Sequence, residues 1–407
     1  MTAIAADRYR LAPRMRSLEP SPFLAVLQAA REVEARGRKV VYLSMGEPDF
    51  ATPEHVKQTG IRAIQRGETR YTAMDGTVQL KDAIGRKLLR DNRLTYQRHQ
   101  ITVTAGGTQA IFNVMLATVG PGDEVILPAP FFQPYLSAIL LCGATPVILP
   151  TREEEGFMPR AKRIAEVVTE KTRWLILNSP SNPAGAVIDR TELAEIAALL
   201  RQHPDVLVFS DDIYESIYYG DEPFSNIVNV APDLADRTLI LNGISKAYAM
   251  TGWRIGYLAG PEPLVAAVSQ VTATSTFTAS SIAQAAAVEA LDGPQASLVT
   301  QNAAYRNRRD LMVDKVNQIP GLHCRTPDGA FYLFINCSQF VGKRTPEGTL
   351  ISDDLGFVLH LLNHAGLASV QGSAFGMPGF IRIAYAASEE TLNEAADRLA
   401  AACTALR

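Results

Sequence analysis

Lysine is rarely buried without a partner, yet Lys246 leaves an apolar run for a loop rich in Gly, Trp and Tyr, reading Gly243-Ile244-Ser245-Lys246-Ala247-Tyr248-Ala249-Met250-Thr251-Gly252-Trp253-Arg254. Burial lowers the pKa of an ammonium group, and a neutral amine is what a lysine nucleophile or base requires. Arg254 lies beside a further apolar run and can return to the same crevice as an anion clamp. Three other loops carry polar residues of similar promise. Asp211-Asp212-Ile213-Tyr214 follows VLVFS. Neighbouring residues at a strand end point to opposite sides, so one acid faces the cleft and the other does not. Ser179-Pro180-Ser181-Asn182-Pro183-Ala184-Gly185 follows WLILN and can present the Asn182 amide. Ala105-Gly106-Gly107-Thr108-Gln109 opens a helix, where two glycines let backbone N–H groups approach a phosphate. Each loop taken alone also reads as an ordinary turn, solvated or packed.

These loops need a frame that brings them together. The runs ITVT (101–104), VILP (125–128), WLILN (174–178), VLVFS (206–210), TLILN (238–242) and IGYLA (255–259) are nearly uninterrupted, as in strands buried on both faces. Helical stretches separate several of them. In TELAEIAALLRQ (191–202), Leu193, Ile196, Ala197 and Leu200 share one face. The alternation predicts an α/β fold with a mostly parallel sheet covered by helices. In such a sheet, ligands bind beyond the carboxyl ends of the strands, where all four loops would lie. Residues 20–37 predict a helix ending at Gly37, and 285–318 predict helices broken at Asp292-Gly293-Pro294. GAFYLFIN (329–336), a helix near 352–365, FIRIAYA (380–386) and a last helix from Ser388 predict a smaller α+β domain. The expected division is an arm and part of the small domain over 1–47, a large domain over 48–299, and a linking helix with the small domain over 300–407.

At 407 residues the chain exceeds one ordinary hydrophobic core. Lys plus Arg number 39 against 42 Asp plus Glu, a formal net charge of −3, so nothing favours nucleic acid or an anionic membrane surface. No apolar run has the length of a spanning helix, and MTAIAADRYRLAPRMR lacks the apolar core of a signal peptide. The expectation is a soluble cytoplasmic protein with its four cysteines reduced. His360 and His364 are four apart, but Leu361 stands where a zinc-protease pattern needs glutamate, and no metal is expected.

Read together, LSMGEPDFATP (43–53), YTAMDG (71–76), GGTQA, NSPSNPAG, SDDIY, SKAYAMTGWRIGY, GAFY and IRIAYAAS resemble the fold type I pyridoxal-phosphate enzymes, in particular the class I and II aminotransferases. The resemblance runs nearly end to end. It implies pyridoxal 5′-phosphate held as a Schiff base on Lys246, which also serves as acid and base. It implies Asp211 on the pyridine nitrogen and Asn182 and Tyr214 on the ring oxygen. Gly106, Gly107, Thr108, Ser245 and Arg254 would hold the phosphate, with Tyr71 reaching the phosphate of a neighbouring subunit in a homodimer. Phe132 would stack on the ring, and Arg382, with Gly46 beside it, would grip the substrate carboxylate. The implied reaction is ping-pong transfer of an amino group from an amino acid to 2-oxoglutarate.

The sequence departs from the pattern in places. Gly243 stands where relatives often have a phosphate-binding serine, leaving that contact to Ser245 or water. Phe132 replaces a frequent Trp, Ala184-Gly185 replaces Thr-Gly, and Gln371 stands where proline is common. Thr108 occupies a position where some aspartate-specific relatives carry lysine, and STFTASSIAQ (275–284) offers no cation in its place. Arg14 and Arg16 are the candidates to fold over the site. A lyase performing β- or γ-elimination is the alternative on the same fold, since cofactor motifs do not choose the reaction. A DNA-binding regulator would need a helix-turn-helix module, and too little chain precedes GEPDF to hold one.

Overall fold

The computed structural model describes residues 11–18 and 22–407. Its strands are β1 (Val41–Tyr42), β2 (Ile101–Thr104), β3 (Glu124–Ala129), β4 (Thr145–Pro150), β5 (Thr172–Asn178), β6 (Leu207–Asp211), β7 (Thr238–Gly243), β8 (Gly256–Ala259), β9 (His323–Cys324), β10 (Tyr332–Asn336), β11 (Leu367–Ala368), β12 (Val370–Gln371) and β13 (Phe380–Ala384). A seven-stranded sheet has the order β2-β8-β7-β6-β5-β3-β4. Only β8 runs against its neighbours. Alternate residues enter different cores on the two faces, as the pleat requires. Val125, Leu127, Trp174 and Ile176 join one cluster, and Ile126, Leu175, Leu177 and Val208 the other. The helix Arg190–Arg201 covers the second face with Leu193, Ile196, Ala197 and Leu200 buried. It begins where the Asp189 side chain accepts a hydrogen bond from the Glu192 backbone at 2.8 Å, a cap worth about 1 kcal/mol.

The mostly parallel sheet matches the sequence expectation, with one strand added. β4 carries Pro146 and Pro150 and lies at the sheet edge with several exposed positions. Proline is tolerated there because an edge strand need not donate on its outer side. The C-terminal strands β12, β13, β10 and β9 form a separate antiparallel sheet, and β1 pairs in parallel with β11. Their core joins Leu333, Ile335, Ile381 and Ile383 to Val26, Ala30 and Val33 of the helix Pro22–Ala35. The amino-terminal helix therefore packs with the C-terminal sheet. Of the predicted stretch from 20 to 37, residues 20 and 21 lie outside the described residues.

The reversal of β8 has a direct effect on the loops. β7 ends at Gly243 and β8 begins at Gly256 opposite it, so Lys246 and Arg254 both lie at the carboxyl edge of β7. β2 also opposes β8, which sends the Gly106-Gly107 turn to that same edge. The approach is close enough that a Cβ at Gly256 would lie 2.7 Å from the Gly107 nitrogen. Only glycine fits there.

Candidate active site

A cavity of about 470 Å³ opens at this edge, and eleven of the sequence candidates line it: Gly46, Gly107, Thr108, Phe132, Asn182, Asp211, Tyr214, Ser245, Lys246, Arg254 and Arg382. Gly106 lies directly behind, since a Cβ there would come within 2.3 Å of an Arg254 guanidinium nitrogen. Tyr71 is the exception. Its ring is 82% exposed and meets Phe277 edge-on at 4.9 Å, outside the cavity lining. Arg14 and Arg16 also stand apart, exposed in the turn Pro13–Ser17.

One end of the cavity is built for an anion. The helix Gly107–Thr118 starts here without a side-chain cap, and the first N–H groups of a helix have no partner within it. Arg254, in left-handed backbone with φ 58°, donates to the Thr251 carbonyl at 2.9 Å and lies against Gly106. Thr108 and Ser245 add hydroxyl groups. This is the chemistry that holds a phosphate.

Opposite roles fall to the two adjacent acids. Asp211 lines the cavity, accepts a hydrogen bond from the Tyr135 hydroxyl and accepts another from the Ile213 backbone at 3.1 Å. Burial pushes its pKa up to about 6, while Tyr135, the Ile213 N–H and the Lys246 charge oppose the rise. Asp212 turns away, accepting from Ser210 Oγ at 2.7 Å and Asn226 Nδ2 at 2.6 Å. Its pKa is pushed up to about 7 by burial, against the pull of those two donors.

Lys246 donates to the Gly46 carbonyl and lies 5.9 Å from the Tyr214 ring centre and 5.8 Å from that of Phe331. Desolvation first, then the charges of Arg382 and Arg254, lower its pKa to about 8. Tyr214 shares a hydrogen bond of 2.7 Å with the Tyr332 hydroxyl. Arg382 is 1% exposed; it donates to Asn182 Oδ1 at 3.0 Å and to the Ser44 carbonyl at 2.5 Å, and stacks over the Tyr332 ring at 4.6 Å. Tyr135, Tyr332, Asn178 and Ser44 are site residues that motif reading missed. Tyr135 lies three residues beyond Phe132 in PFFQPY, with no motif of its own to mark it. Asn178, the last residue of β5, accepts from the Asn182 backbone at 2.9 Å and steadies that loop.

The model for aminotransferase class I and II matches residues 38–399. The chain belongs to the class I and II aminotransferase family. The aminotransferase is 46% identical over 398 residues to an aspartate aminotransferase of Rhizobium meliloti, covering 98% of this chain and 97% of that one. It is 45% identical to an aspartate/prephenate aminotransferase of Cereibacter sphaeroides, covering 97% of this chain and 99% of the relative. The crystal structure of the Rhizobium meliloti aspartate aminotransferase superposes with a TM-score of 0.95, over 98% of this chain and 99% of that chain, at 46% identity. The aminotransferase thus uses pyridoxal phosphate. The cavity fits that group, with an anion cradle at one end, a buried carboxylate on the floor and an amine of lowered pKa between them. No helix among the described residues is long and apolar enough to cross a membrane.

Proposed function

We propose that this aminotransferase moves the amino group of an L-amino acid, aspartate or an aromatic or apolar donor, to 2-oxoglutarate by a ping-pong mechanism. The observation that carries the proposal is the grouping of Lys246, Asp211 and Arg382 around one cavity whose walls are otherwise largely apolar, including Leu24, Leu27, Met45, Ile111 and Phe132. In this reading Arg382 pairs with the substrate α-carboxylate, already aimed by Asn182 and Ser44. Lys246 would hold the cofactor covalently and, once freed by the incoming substrate amine, its neutral amine would take the proton from Cα. Asp211 keeps a proton on the pyridine nitrogen. Asn182 and Tyr214 bind the ring oxygen, Phe132 covers one ring face, and Gly106, Gly107, Thr108, Ser245 and Arg254 hold the phosphate. Pyridoxal phosphate, when bound, supplies the electron sink that accepts the pair left at Cα. The donor would leave as its 2-oxo acid with its amino group kept at the cofactor, and a second 2-oxo acid would take that group up by the reverse sequence.

The division into 1–47, 48–299 and 300–407 belongs to the same proposal, as does a homodimer in the cytoplasm. Exposed Tyr71 and Phe277 would then be covered by a second copy, with Tyr71 reaching that copy's phosphate. The test is spectroscopic. Amino donors are added singly to the purified holoenzyme, and conversion of its visible band to that of the aminated cofactor is followed. Conversion by aspartate or phenylalanine, reversed by 2-oxoglutarate, is expected. Donor consumption with release of ammonia and no reversal would instead mean elimination.

A further inference from the structure

Tyr332, the first residue of β10, lines the catalytic cavity and is 1% exposed. Its hydroxyl meets that of Tyr214 at 2.7 Å and has no other hydrogen-bond partner among the described residues. The Arg382 guanidinium covers its ring at 4.6 Å from the centre. Gly46 closes the hydroxyl end, since a Cβ there would lie 2.3 Å from the Tyr332 oxygen. The backbone behind the ring is held as well. Ala330 is in the left-handed region with φ 57°, which residues with side chains rarely adopt. Its carbonyl accepts from the Tyr219 hydroxyl at 2.5 Å and from the Tyr385 hydroxyl at 3.0 Å. The Tyr332 hydroxyl is thus pinned against Tyr214.

Either hydroxyl can donate in this pair. Each phenol carries one proton, and its oxygen can accept as well. When Tyr214 directs its proton to the ring oxygen of the cofactor, as in the reaction proposed above, it can only accept from Tyr332. A hydroxyl that accepts one hydrogen bond donates the next more strongly. We propose that Tyr332 is a positioning residue, donating to Tyr214 so that the Tyr214 proton points at the ring oxygen of pyridoxal phosphate. This role rests on the reading that Tyr214 binds that oxygen.

The test is a pH titration of the visible band of the holoenzyme. The proton shared between the lysine nitrogen and the ring oxygen leaves as pH rises, and donors to the charged oxygen lower the midpoint. Tyr214→Phe should raise the midpoint by about one unit or more, and Tyr332→Phe by about half a unit. In the double variant Tyr332→Phe should add nothing, because Tyr332 acts only through Tyr214. Phenylalanine keeps the ring beneath Arg382, so the hydroxyl alone is removed. An unmoved midpoint in Tyr332→Phe beside a shifted one in Tyr214→Phe overturns the role of Tyr332 and leaves the ring-oxygen contact standing. An unmoved midpoint in Tyr214→Phe overturns both. A Tyr332→Phe shift that persists in the double variant means that Tyr332 acts on the cofactor directly, and the relay through Tyr214 fails.

Discussion

The Tyr135 hydroxyl donates to a carboxylate oxygen of Asp211, tying the start of the helix Gln133–Leu141 to the end of β6. This bond opposes the burial that raises the Asp211 pKa. Tyr135→Phe is therefore expected to raise that pKa further and to move the acidic limb of the kcat profile to higher pH, with about tenfold loss near pH 6. Matching profiles for variant and parent would show that Tyr135 only fills space.

Asp211→Ala is expected to lose most activity while folding normally, because its carboxylate serves the cavity. Asp212→Ala should keep most of its activity and lose stability instead, by about 1–3 kcal/mol, since Ser210 and Asn226 would be left facing each other without their acceptor. Denaturant melts and steady-state rates on both variants separate the two effects. Equal catalytic losses would contradict the opposite facing of the two acids.

Lys246→Ala should abolish the visible band of the lysine-bound cofactor and slow turnover by several orders of magnitude, nucleophile and base being lost together. In the parent, the lysine pKa lowered to about 8 has a kinetic signature. Capture of pyridoxal phosphate by the apoenzyme should speed up about tenfold per pH unit below that value and level off above it, because only the neutral amine attacks. Stopped-flow absorbance measures this directly, and a rate still climbing at pH 10 would mean an ordinary exposed lysine.

Thr108→Lys tests the choice of donor. Burying a distal carboxylate without a partner costs several kcal/mol, and the cations lining the cavity, Lys246, Arg254 and Arg382, all have proposed roles elsewhere. The new lysine should raise the ratio of kcat/KM for aspartate to that for phenylalanine by about tenfold or more. The ratio is the useful readout, since Thr108 also lines the end of the cavity proposed to hold the phosphate. A parent enzyme already preferring aspartate beyond roughly a thousandfold would reveal a cation supplied from elsewhere, because one apolar pocket difference gives only about 1–3 kcal/mol.

Much of the site was legible because its groups sit at the ends of strongly apolar strands. Lys246 stood out as a charge in apolar surroundings; strand alternation required Asp211 and Asp212 to face opposite ways, and the resemblance chose Asp211 as the inward one. Direction was not legible. A buried run such as GYLA reads the same in either sense, so the reversal of β8, which returns Arg254 to Lys246, appears only in the pairing. β4 was missed because Pro146, Pro150 and its exposed edge give no buried pattern. The contacts made by Tyr332 with Tyr214, and by the Ser44 carbonyl with Arg382, join segments far apart in the chain. Such contacts leave no local trace, and a backbone carbonyl has no residue type to recognise.

Arg382 belongs to the antiparallel C-terminal sheet, yet its guanidinium is held by Asn182 from the loop after β5 and by Ser44 from the segment after β1. Three stretches of chain thus fix its orientation before any carboxylate arrives, and little side-chain freedom remains to be lost on binding. In the proposed reaction such a grip would not distinguish an amino acid from its 2-oxo counterpart, as both present the same α-carboxylate. Each reactant would then compete in the half of the proposed cycle where it has no part, and excess of either co-substrate would slow turnover.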